Sequence, residues 1–113
     1  MAVEKSLISG STAMLVMKLL EEKDMYGYEM IETLREKSEN VFELKAGTLY
    51  PLLHGLEREG WVTSRDEAAK NRARRYYAIT PAGRAALEEQ KARWDAYAAG
   101  VRGVLEGGAY CGA

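Results

Sequence analysis

Four places in this 113-residue sequence carry side chains that can do chemistry. Lys70, Asn71, Arg72, Arg74 and Arg75 put four cations and an amide into six residues without an acid. Such a run is most often a solvated surface; its other reading is phosphate binding, in which each phosphate neutralised steepens the salt dependence by about 0.9 on a log scale. Upstream, the stretch GTLYPLLHGLEREGW at 47–61 carries Thr48, Tyr50, Pro51, His54 and Arg58 on one side. Hydroxyls, an imidazole and a cation without a carboxylate suit base edges and phosphates, although the same residues could simply be exposed on a structural helix. Trp94 is followed by Tyr97, a pair that reads as dimer core, as a platform for a flat ligand with Met14 beside it, or as exposed aromatics. Cys111 is the single cysteine and cannot form an internal disulfide.

Other chemistries are absent from the sequence. His54 is the one histidine, and no cysteine or acid is spaced to complete a metal site with it. No phosphate loop and no nucleophile placed with a base occurs, so neither an enzyme nor a cofactor is expected. At this length the chain reads as one domain with a modest core. Its 47% hydrophobic and 29% charged residues are those of a globular protein rather than a disordered one. The apolar N-terminal stretch is interrupted by Ser9, Gly10, Ser11 and Thr12 and ended by Lys18, so no membrane partner is expected and the cytoplasm is the default location. A net charge of −1 argues weakly against nucleic acid, but the charge is polarised. Glu21 to Glu43 holds eight acids against three bases, whereas Lys70 to Arg75 holds four bases and no acid.

The elements that must position these groups follow from periodicity. Leu49, Leu52, Leu53 and Leu56 fall at i, i+3, i+4 and i+7, one apolar stripe of a helix. Pro51 is expected in its first turn, which places the helix start near Ala46 to Thr48; Gly60 stops it. An earlier helix is expected from Ser9 or Ser11 to Glu22, with Thr12, Leu15, Val16, Leu19 and Leu20 buried and Met14 and Met17 off the stripe. In a second helix Tyr28, Ile31 and Leu34 share one face. Val41 to Leu44 reads as a small strand, and Trp61 to Arg65 and Arg75 to Ile79 alternate as two more. Residues 67–73 between them form a loop too long for a tight turn. Thr80 and Pro81 open a long last helix to about Glu106. Its heptad seam places Leu87, Trp94 and Val101 at one position and Gln90, Tyr97 and Val104 at the other, widened by Ala98 and Leu105. Leu87, Trp94, Tyr97, Val101, Val104 and Leu105 are therefore expected to meet a second copy of the chain.

A helix with an acid-free face followed by a hairpin with basic residues is the order of a winged helix. The fold class expected is mainly α with a small β-hairpin wing (α+β): a winged helix-turn-helix over 1–80, a dimerisation helix over 81–106 and a flexible tail over 107–113. The sequence resembles the PadR family of bacterial transcriptional regulators in its small form. YGYEM at 26–30, GTLYPLLHGLEREGW at 47–61 and RRYYAITPAGRAAL at 74–87 carry the resemblance. It implies a homodimer, joined through the first and last helices, that represses genes from a pseudo-palindromic DNA operator. It also implies that Thr48, Tyr50, Pro51 and His54 lie at the double-stranded DNA and that Asn71, Arg72 and Arg74 serve the wing. Some small members stack flat aromatic drugs between paired tryptophans, and Trp94 has the matching spacing from Thr80. The other function considered is a winged helix used for protein contacts, with the acidic surface at 21–43 docking a basic partner.

Overall fold

The computed structural model describes residues 5–69 and 72–107. In chain order the elements are α1 (Lys5–Glu22), β1 (Met25–Tyr26), α2 (Gly27–Lys37), α3 (Ala46–Arg58), β2 (Val62–Ala69), β3 (Arg72–Ile79) and α4 (Pro81–Glu106). The strands form one antiparallel sheet in the order β1-β3-β2. Four helices around this small sheet match the α+β expectation.

Leu49, Leu53 and Leu56 of α3 are buried, Leu52 is half-buried, and these leucines pack with Val16, Met17 and Leu20 of α1, Met30 and Leu34 of α2, Tyr77 of β3 and Leu87 of α4. The end of α3 is closed in hydrogen bonds. Gly60 takes φ +79, its N–H donates to Glu57 O at 3.0 Å, and the Trp61 N–H donates to Leu56 O at 3.0 Å. That is the double closure a left-handed glycine makes possible. Thr80 then latches the start of α4 to this corner. Its Oγ1 accepts from the Gly83 N–H at 3.0 Å and donates to Gly60 O at 2.7 Å, while its own N–H donates to Trp61 O at 3.0 Å. Gly83 lies so close to the Trp61 carbonyl that a Cβ there would overlap it. Leu87 is the last buried residue of α4. Beyond it the helix runs away from the core, and the radius of gyration is 16.5 Å against the roughly 13 Å of a compact chain of about this size.

Several expectations are corrected. α1 begins at Lys5, so Ser11 is buried inside it rather than opening it, while Thr12 is buried as expected. Met17, expected off the stripe, is fully buried, since α2 and β3 also pack on α1 and widen the face that must be apolar. Tyr28 is exposed and Met30 takes its place in the core. Residues 41–45 form no strand: Glu39 and Asn40 both take positive φ and turn the chain there. β1 fills the third place in the sheet instead, with Met25 opposite Tyr77 and Tyr26 opposite Tyr76. Pro51 is the sixth residue of α3, not in its first turn. The carbonyl it leaves unbonded four residues back belongs to Gly47, whose surroundings are open. The wing hairpin is tighter than expected, pairing continuously from Val62 opposite Ile79 to Ala69 opposite Arg72. Alternating polarity failed there because the ribbon carries charge on both strands, Asp66 facing Arg75 and Glu67 facing Arg74. Finally Leu87, expected at a seam with a second copy, is fully buried by its own chain, where α1 packs on α4. The expected tail, apart from Gly107, lies outside the described residues, as does Cys111.

Candidate nucleic-acid interface

On α3 the buried leucines force Thr48, Tyr50, Pro51, His54 and Arg58 outward, and all five are exposed. Tyr50 is also anchored. Its ring tip rests on Gly27 at the start of α2, where a Cβ would come within 2.7 Å of Tyr50 Cζ and overlap the hydroxyl. A side chain at 27 would therefore push the Tyr50 ring out of this seat.

The hairpin stands beside this face. Lys70 and Asn71 lie outside the described residues; Arg72 is exposed and Arg74 half-buried. The Arg74 guanidinium lies over the Tyr26 ring, 4.3 Å from its centroid. Tyr26 meets Tyr76 edge-on at 5.5 Å and 75°, and Arg65 lies over Tyr76 at 5.4 Å. Arg65 is fully engaged, its Nη1 donating to Asp24 and its Nε to Glu67, each at 2.7 Å. Those hydrogen bonds, to Glu67 first and Asp24 second, hold its pKa above the ordinary arginine value. Tyr26, Gly27, Tyr28, Tyr50 and residues 72–75 line an open cleft of about 440 Å³ between α2, α3 and the wing. The cue to the place of Tyr26 is its pairing with Tyr76, which sequence spacing does not reveal.

The acidic surface at 21–43 is largely consumed within the chain. Glu21 pairs with Lys18 and Arg84, Glu22 with Lys37, Asp24 with Arg65, Glu29 with Lys23 and Glu32 with Arg35. Arg84 therefore faces α1. Hydrogen bonding from Lys37 pulls the Glu22 carboxyl below its ordinary value, and Glu29 raises the Lys23 ammonium likewise. These exposed ties leave few of the acids open to a basic protein partner.

Along α4, Trp94, Tyr97, Val101, Val104 and Leu105 are exposed; Val104 is 81% and Leu105 79% open. The Trp94 and Tyr97 rings lie 5.8 Å apart at 36°. A shallow groove of about 400 Å³ beside them is lined by Ala98, Val101, Arg102, Leu105 and Glu106. Met14 does not line it, and packs half-buried against the core. Among the described residues no group of histidine, cysteine and acidic side chains could hold a metal, and no described helix is long and apolar enough to cross a membrane.

Residues 16–89, from α1 through the sheet to Leu87 and just past it, match the model of the transcriptional regulator PadR-like family. The chain belongs to that family. A protein of Lysinibacillus sphaericus is 31% identical over 93 residues, which is 81% of this chain and 85% of that one. A transcriptional regulator of Mycobacterium tuberculosis is 47% identical over 57 residues, half of this chain and 53% of its own length. The crystal structure of a PadR family transcriptional regulator from Eggerthella lenta superposes with a TM-score of 0.79 at 34% identity, covering 89% of this chain and 87% of that one. The fold is accordingly the PadR winged helix. PadR-family proteins are DNA-binding transcriptional regulators and not enzymes, which gives this chain its general role.

Proposed function

We propose that this PadR-family regulator acts as a homodimeric repressor that reads a pseudo-palindromic operator with α3 and anchors itself with the wing. The observation that carries the reading is the outward face of α3, where Thr48, Tyr50, Pro51, His54 and Arg58 are exposed, while the bordering acid Glu57 is half-buried and accepts from Ser64 at 2.7 Å. Such a face offers donors and acceptors to base edges in the major groove, while Arg72, Arg74 and the neighbouring Lys70 and Asn71 meet the backbone. The exposed apolar stripe from Trp94 to Leu105 is the seam for the second copy, which sets the separation of half-sites. Residues 1–80 then form the DNA-binding unit, 81–106 the dimerisation helix and 107–113 a tail, and the protein works in the cytoplasm, with the DNA. A small aromatic effector binds at Trp94 and Tyr97, a reading supported by the exposure of both rings beside the apolar groove.

The test is titration of the duplex lying upstream of the protein's own gene at two salt concentrations. Wild type is expected to bind saturably with a steep salt slope. The double replacement Arg72→Ala and Arg74→Ala should flatten that slope by roughly 2, from about 0.9 per phosphate contact. His54→Ala should change the preferred sequence with the slope intact. Equal affinity of wild type and the double variant for every duplex would overturn the wing assignment.

A further inference from the structure

We infer that the cleft between the start of α2 and the wing seats one backbone phosphate of the DNA, and that Tyr26 is the positioning residue that aims Arg74 into it. The inference rests on the DNA-binding reading above and deepens it. Arg65, Tyr76, Tyr26 and Arg74 form a row of cation, ring, ring, cation, with the distances given above. Its two ends differ. Arg65 is neutralised by Asp24 and Glu67. Glu67 is also the residue opposite Arg74 in the strand register. Because that carboxylate is held by Arg65, Arg74 has no acidic partner among the described residues.

A guanidinium lying on an aromatic face keeps its N–H groups in its own plane, pointing outward, and matches the paired oxygens of a phosphate. Tyr26 thus fixes the orientation of Arg74 without occupying its donors. The surroundings suit the same anion. Arg72 and Arg75 line the cleft with Arg74, and no acid does. Gly27 and Tyr28 open α2, where no side chain caps the helix and the one acid of the first turn, Glu29, is paired with Lys23, so the first N–H groups add to the positive field. A phosphate of the DNA backbone fits better than a soluble anion, because the cleft is open and lies between Tyr50 of α3 and the wing, on the path a strand must take between them.

The test replaces single phosphates of an operator duplex, one at a time, with uncharged methylphosphonate and measures affinity for wild type, Arg74→Ala, Tyr26→Phe and Tyr26→Leu. One position per half-site should weaken wild type about tenfold, the scale of a hydrogen-bonded charge. Arg74→Ala should be insensitive there, Tyr26→Phe should behave as wild type because it keeps the ring, and Tyr26→Leu should follow Arg74→Ala. Arg74 lies on the wing, so its variant keeps the comparison valid even if Tyr26→Leu fails to fold. Duplex binding with a salt slope that depends on Arg72 and Arg74, but with no position coupled to Arg74, would overturn the phosphate seat and leave the function standing. Loss of the coupling in Tyr26→Phe would overturn the role of the ring. Displacement of the duplex from wild type, but not from Arg74→Ala, by submillimolar inorganic phosphate would overturn the DNA assignment in favour of a soluble anion. Failure of wild type to bind any duplex would remove both readings.

Discussion

Gly83→Ala should destabilise the protein, although alanine is the better helix former and Gly83 lies in a helix. An added Cβ would overlap the Trp61 carbonyl oxygen and come within 2.8 Å of Ile79 Cγ1 and 3.0 Å of the Trp61 carbonyl carbon. Two of those atoms are backbone and cannot rotate away. The start of α4 must therefore lift from the corner, which strains the Thr80 cap on Gly83 and the Thr80 N–H bond to Trp61 O. The cap contributes about 1 kcal/mol and a net hydrogen bond about another. Displacing the first turn also loosens Leu87, whose full removal costs about 2–5 kcal/mol. With alanine returning at most about 1 kcal/mol of helix propensity, the net loss is roughly 2–3 kcal/mol. For a chain of this size that is a fall in Tm on the order of 10 °C. Gly55→Ala in α3 is the control. Its Cβ would meet nothing closer than the flexible end of Arg58 at 3.7 Å, so it should gain up to about 1 kcal/mol. Thermal unfolding followed by circular dichroism reads both variants. The same melting temperature for the two, or a rise for Gly83→Ala, would refute the argument from close packing.

Two other outcomes are expected. Burial, reinforced by Glu57, pushes the Tyr77 phenol above its ordinary value, so its contribution to stability is complete below the unfolded value of about 10 and is lost as pH rises from there through the folded value. Tyr77→Phe should therefore narrow the gap between urea midpoints measured at about pH 8 and about pH 11, and an equal gap in both proteins would exclude Tyr77 as the cause. Val104→Glu puts a charge into the exposed stripe of α4 and should weaken self-association at least about thirtyfold, from the 2 kcal/mol lower bound for an unpaired buried charge; sedimentation showing an unchanged dimer would place the seam elsewhere.

The parts of the fold legible in the sequence were those governed by local rules. The leucine stripe and Gly60 marked α3, and Thr80 with Pro81 marked the start of α4, because caps and periodicity act within a few residues. What escaped depended on distant partners. β1 has two residues, too few for alternation, and exists because Tyr76 and Tyr77 of β3 pair with it. The wing ran past its apolar residues on cross-strand charge. Leu87 looked like the first residue of an intersubunit seam because a heptad does not show which neighbour covers it. For the interface, the composition of the α3 face was readable at once, whereas the Arg74 and Tyr26 pair required knowing the strand register.

The burial of Leu87 makes the rest of α4 a lever. Nineteen residues follow it to Glu106, about 28 Å of helix at 1.5 Å per residue. A rotation of some 5° about the Gly83 corner would swing the far end by roughly 2–3 Å over that length. In a dimer joined along this arm, a small change in packing at either end is read at the other as a change in the reach of the two recognition helices. Tuning the operator spacing would need no alteration of the residues that touch DNA.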